Sequence, residues 1–277
     1  MSGTASPIGE KCINRGMRGF WGAVLVMLAW AGSVGAVPAP PAGSNGDGPD
    51  GAVFMLLTMI RDGDRYRPVE AGTAFFIDPG GTALTNSHVV YYARRDPENY
   101  RLLAIVGREF YGATVVCASD LPYAPADSRT VLFARDVAEV KVAPSRFLFT
   151  RLQWPHSEIE YTAHLTGLPS FSAVALGEDP APGDTVRVVG FGRITERLVD
   201  ALGERWVATG TVSETGAATD GTPVFRVASV NRPRPGNSGS PVLSVHGRVV
   251  GMWTWNETSN FAFGVAIGSS ALAPPCR

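Results

Sequence analysis

The chain has 277 residues, 45% of them hydrophobic, which is enough for one large domain or two small ones and excludes global disorder. Its formal net charge is −1 and it has no long basic run, so nucleic acid is not an expected partner. Thirty-two glycines and 21 prolines, with Val, Thr and Phe recurring in short runs, favour many short strands joined by turns.

The N-terminus reads as an export signal. Lys11, Arg15 and Arg18 form a basic region, and no charge follows from Gly19 to Gly46. Gly19 to Ala31 is a compact apolar block, and Val34-Gly35-Ala36 supplies small residues for cleavage. Residues 1–36 are therefore expected to be a signal peptide, and the protein to be secreted or periplasmic. The other reading is an uncleaved membrane anchor with an exported remainder, since Gly19 to Val37 is nearly long enough to span a bilayer. Residues 37–51, rich in Pro, Gly, Ser and Asp, read as a flexible linker.

The folded part is expected from about Ala52. Ala52–Ile60, Gly72–Asp78 and Thr82–Thr85 read as strands, with a turn signal at Asp78-Pro79-Gly80-Gly81. Leu102–Val106, Gly112–Ala118 and Val131–Val142 continue the series, and Pro144–Ser170 is less regular. A second set follows at Ser172–Leu176, Thr185–Phe191, Trp206–Val212, Val224–Val230, Val242–Val245, Val249–Thr254 and Ala262–Ile267. Closely spaced short strands of this kind suggest an all-β barrel or sandwich.

The sharpest local signal is Gly236-Asn237-Ser238-Gly239-Ser240-Pro241, a serine flanked by glycines just before a strand. A serine hydroxyl becomes a nucleophile only with a base to take its proton and donors for the oxyanion. Of the four histidines, His88 follows the strand Thr82–Thr85, whereas His246 reads as a hairpin turn and His156 and His164 fall in the irregular middle. Among the acids, Asp136 fits best as the partner that orients the imidazole, in a stretch read as a strand of alternating charged and apolar residues. The order His88, Asp136, Ser238 runs against α/β-hydrolases, which place the serine first.

Three blocks, Gly72 to Ile77 with Leu84 to Val90, Asp136 to Lys141, and Gly236 to Pro241, resemble chymotrypsin-fold (trypsin-like) serine peptidases of the bacterial HtrA-like and glutamyl-endopeptidase-like type. Weaker echoes are Leu176 to Asp184 and Gly251 to Trp255 with Phe261 to Ile267. The resemblance spans about Ala52 to Ala271 and does not include a PDZ domain. It implies two Greek-key six-stranded β-barrels, about 52–150 and 165–277, with the active site in the cleft between them. It also implies a serine endopeptidase that needs no cofactor or metal, with peptides or proteins as substrates. His88, Asp136 and Ser238 would form the catalytic triad, and the N–H groups of Gly236 and Ser238 the oxyanion hole. A monomer is expected, touching a membrane only through an uncleaved N-terminal segment. The competing class is a trypsin-fold binding or scaffold protein with little or no turnover.

Two features bear on regulation and specificity. Relatives activated by zymogen cleavage carry an aspartate just before the nucleophile, where this chain has Asn237; activation through a new N-terminal ammonium is therefore not expected. Glutamyl endopeptidases carry a histidine where this chain has Trp253, which argues against acidic specificity by that route. Arg232, Trp253, Thr254 and Trp255 are candidate pocket residues, although Arg232 reads more readily as part of a solvated loop and Trp253 and Trp255 read equally as core. Cys12 would leave with the signal, and an oxidising compartment makes a Cys117–Cys276 disulfide the expected use of the remaining pair, against two separate thiols.

Overall fold

The computed structural model describes residues 48–107, 109–121, 134–143, 151–154, 157–160, 170–192, 205–229, 236–256 and 263–273. The N-terminal segment read as a signal, together with His156, His164, Arg232 and Cys276, lies outside them. Two closed antiparallel barrels of six strands are built by the same permutation of strand order. The first comprises β1 (Val53–Asp62), β2 (Arg65–Phe76), β3 (Thr82–Thr85), β4 (Tyr100–Val106), β5 (Glu109–Ala118) and β6 (Ala138–Ala143). Their order around the barrel is β1-β2-β3-β6-β5-β4, closed by pairing of β4 with β1. A hairpin of β7 (Arg151–Trp154) and β8 (Ser157–Glu160) extends from β2.

The second barrel comprises β9 (Thr185–Phe191), β10 (Arg205–Ala217), β11 (Pro223–Ser229), β12 (Pro241–Ser244), β13 (Val249–Asn256) and β14 (Phe263–Gly268). Its order is β9-β10-β11-β14-β13-β12, closed by β12 on β9. In each barrel the third strand lies beside the sixth rather than the fourth, the signature of a Greek key.

The packing follows from two-residue alternation along the strands. On β10, Trp206, Ala208 and Val212 are buried between exposed neighbours. On β9, Val186 and Val188 join the interior of the second barrel, while Val189 and Phe191 belong to the larger core that fills the first. Leu243, Met252 and Trp255 also join that larger core. The two barrels therefore share a continuous apolar interface.

Three expectations are corrected. Ser172–Leu176 is not a strand: Phe171 N–H bonds Pro79 O, Val174 N–H bonds Phe76 O, and only Leu176 forms a bridge, to Val249. The segment runs across the end of the first barrel, where the Phe171 ring stacks on Phe76 at 4.2 Å. Asp136 is not on a strand either, because the ladder of β6 begins at Ala138. Finally, the linker does not extend to Gly51. Pro49–Ala52 is a 3-10 turn with Gly51 and Ala52 buried, held by a two-pronged ion pair from Arg187 to Asp50 at 2.6 and 2.9 Å.

Candidate active site

His88 lies in the turn that follows β3, where Ser87 O accepts from Val90 N–H and His88 O from Tyr91 N–H. This turn leads into the short helix α1 (Tyr91–Arg95). Asp136 is fully buried and approaches the turn from the segment before β6. Its two carboxylate oxygens meet the same residue. Oδ1 accepts from the His88 backbone N–H at 3.0 Å, and Oδ2 lies 2.6 Å from His88 Nδ1. An ionised carboxylate only accepts, so Nδ1 carries the hydrogen and Nε2 is left as the basic nitrogen.

Neighbouring side chains hold this pair in place. Asn86 donates from its amide to Asp136 O at 2.7 Å and to Thr254 Oγ1 at 3.0 Å, tying the aspartate to β13 of the second barrel. Ser87 Oγ donates to Val137 O at 2.7 Å. Burial pushes the His88 pKa down. The Asp136 charge, its hydrogen bond and the charge of Glu70 outweigh this, and the net shift is upward.

Ser238 sits at the tip of the loop before β12. Gly239 N–H donates to Trp253 O at 2.9 Å and Trp253 N–H to Ser240 O at 2.8 Å, fastening the loop to β13. The other fastening crosses to the first barrel. Thr73 on β2 donates its N–H to Ser238 O at 2.8 Å and its hydroxyl to Gly236 O at 3.0 Å. The same hydroxyl accepts from Phe191 N–H at 3.0 Å, and Thr73 O accepts from Thr85 Oγ1 at 2.7 Å. Thr85 is three residues before His88. One buried threonine thus links the serine loop to the strand that carries the histidine.

Gly239 explains the glycine after Ser238. Its φ is +86°, and a Cβ there would lie 2.1 Å from Thr73 O and 2.5 Å from Thr85 Oγ1. Only glycine permits both the left-handed backbone and the close approach of the two barrels. Asn237 is 1% exposed and its amide donates to Phe191 O at 3.0 Å. A neutral hydrogen bond therefore occupies the position where the sequence lacks a carboxylate.

The trypsin-like peptidase domain model matches residues 72–252, from β2 to β13. The chain belongs to the trypsin-like peptidase family. It is accordingly a serine endopeptidase, with peptides or proteins as substrates. Among solved structures, the active form of the Rv3671c protease from M. tuberculosis is 18% identical, with a TM-score of 0.51 over 81% of this chain and 78% of that one. The inactive form of that protease, also 18% identical, has a TM-score of 0.50 over 82% and 87%. Identity at this level supports the shared fold. No curated protein matches the chain.

Of the candidate pocket residues of this trypsin-like peptidase, Trp253, Thr254 and Trp255 are buried on β13, the strand to which the serine loop is fastened, and Arg232 lies outside the described residues. Trp253 is 1% exposed, with its ring edge-on to Trp206 at 6.0 Å and packed over Gly264. Thr254 donates to Met252 O at 3.0 Å, and Trp255 packs in the core shared by the barrels. His246 is exposed in the β12–β13 turn. Thr73, Asn86 and Glu70 escaped the sequence reading. The partner of the Thr73 hydroxyl in the serine loop, Gly236, is 163 residues away in the chain, and no local pattern signals such a bond.

Proposed function

We propose that this chain is an exported endopeptidase that cleaves peptide bonds through a Ser238–His88–Asp136 triad and an acyl-enzyme. His88 Nε2 takes the hydroxyl proton as Ser238 Oγ bonds to the scissile carbonyl carbon. The N–H groups of Gly236 and Ser238 receive the oxyanion. The carbon–nitrogen bond then breaks, and the proton on His88 passes to the leaving amine. Water, deprotonated by His88, attacks the ester, and the proton returns to Ser238 as the acid product departs. Asp136 keeps the imidazole in the required tautomer and stabilises its cation.

The observation that carries this reading is the buried Asp136, with both oxygens on His88, beside a serine loop bound through Thr73 to the strand leading to that histidine. The reading includes a signal peptide over residues 1–36, a peptidase domain from about Pro49, and a Cys117–Cys276 disulfide. Cleavage-site profiling on a proteome-derived peptide library tests it: wild-type protein should give a defined cleavage motif, and Ser238→Ala none. A Ser238→Ala protein cutting the same sites at the same rate would overturn it. Intact-mass analysis of exported protein with two free thiols would refute the disulfide.

A further inference from the structure

We propose that Glu70 is a positioning residue for His88, a second carboxylate at the site whose ionised form stabilises the imidazolium made during acylation. The proposal rests on His88 being the base, as argued above. Glu70 lies on β2 two residues before Gly72, so the two share one face of the strand. That face lies on the residue after His88: a Cβ on Gly72 would come within 2.6 Å of Val89 Cγ1. Across the ladder Glu70 pairs with Thr58 of β1, and directly opposed residues also share a face. The buried Thr58 hydroxyl donates to Val89 O at 2.8 Å. Positions 58 and 72 therefore meet Val89, the residue after His88, and Glu70 shares their face.

Glu70 is half-buried, and burial raises its pKa to about 7. The two charges that act on it are His88, which favours its ionised form, and Asp136, which opposes it. Other charged residues on the surrounding elements are engaged elsewhere. Arg61 bonds Gly63 O, Arg65 faces Asp64, and Arg67 faces Asp62. Arg94 pairs with Asp120, Arg95 lies over the Tyr91 ring, and Arg187 pairs with Asp50. Arg101 on β4 is exposed, and β3 carries no charge.

The chemical consequence is directional. When Ser238 passes its proton to His88, the charges of two carboxylates, Asp136 and Glu70, act on the new cation instead of one. A residue that merely packs would leave the proton affinity of His88 unchanged. Glu70→Gln keeps the shape and removes the charge, so the His88 pKa should fall. The acidic limb of kcat/KM should then move to lower pH, and the plateau should drop several-fold. Glu70→Asp, which retains a carboxylate, should restore part of both.

The test measures the His88 imidazole titration by NMR in wild type, Glu70→Gln and Glu70→Asp, together with the pH profile of kcat/KM on a cleaved peptide. A lower His88 midpoint in Glu70→Gln, partly restored in Glu70→Asp, is expected. An unchanged midpoint in folded Glu70→Gln overturns the proposal. The titration needs no turnover, so a protein that cleaves nothing would refute the role of Ser238 while the coupling of Glu70 to His88 is still decided.

Discussion

Thr73, on a strand of the first barrel, donates its backbone N–H to the carbonyl oxygen of Ser238 in the second, at 2.8 Å. Its hydroxyl joins Gly236 O and Phe191 N–H, also in the second barrel. The serine loop is therefore placed by a residue outside its own barrel. Thr73→Val keeps the shape but strands two buried polar partners. It should cost about 1–3 kcal/mol in urea denaturation, and lower kcat about tenfold or more with little change in KM. Thr73→Ser, which keeps the hydroxyl, should behave like wild type. A Thr73→Val protein with wild-type stability and kcat would show that the link is incidental.

Asn237 holds its loop with a hydrogen bond donated by its side-chain amide to Phe191 O, and the proposed reading expects no role for a newly made ammonium. Refolded protein with residues preceding Pro49 intact should be active without a cut near Gly51; activity that appears only after such a cut would contradict this. Asn237→Asp should lose about tenfold or more in activity, because a carboxylate oxygen would replace the donor facing that carbonyl.

Glu70 also makes stability depend on pH. Its folded pKa of about 7 lies above its ordinary 4.5. Over this window the unfolded chain ionises at Glu70 while the native state resists, so native stability falls as pH rises from about 4.5 to 7 and then levels off. Glu70→Gln removes this loss. Its Tm should match wild type near pH 4 and exceed it near pH 8, as measured by differential scanning calorimetry. Equal Tm differences at both pH values would rule out a raised Glu70 pKa.

Much of the fold was legible because its strands are apolar runs bounded by turn residues. Thr82–Thr85 and Thr185–Phe191 were read at their observed bounds. β2 begins upstream, at Arg65, because its first half is a polar hairpin arm without an apolar run. Ser172–Leu176 has strand composition yet packs as a connector, since its backbone bonds reach loop and strand-end carbonyls rather than a neighbouring ladder. Of the candidate site, His88, Asp136 and Ser238 stand out in the sequence through residue type and chain order. Asp136 has strand-like sequence neighbours but lies just before β6, as a buried carboxylate beside the His88 turn. Thr73, Asn86 and Glu70 stayed hidden because their work depends on which strands become neighbours.

Activation of Ser238 by His88 can be read with a fluorophosphonate probe, which reacts with an activated serine hydroxyl. Intact-mass and peptide-mapping spectra of labelled protein should show one adduct, on Ser238, that disappears in Ser238→Ala and is strongly reduced in His88→Ala. Well-folded wild-type protein that takes up no probe, or an adduct on a different residue, would contradict the account.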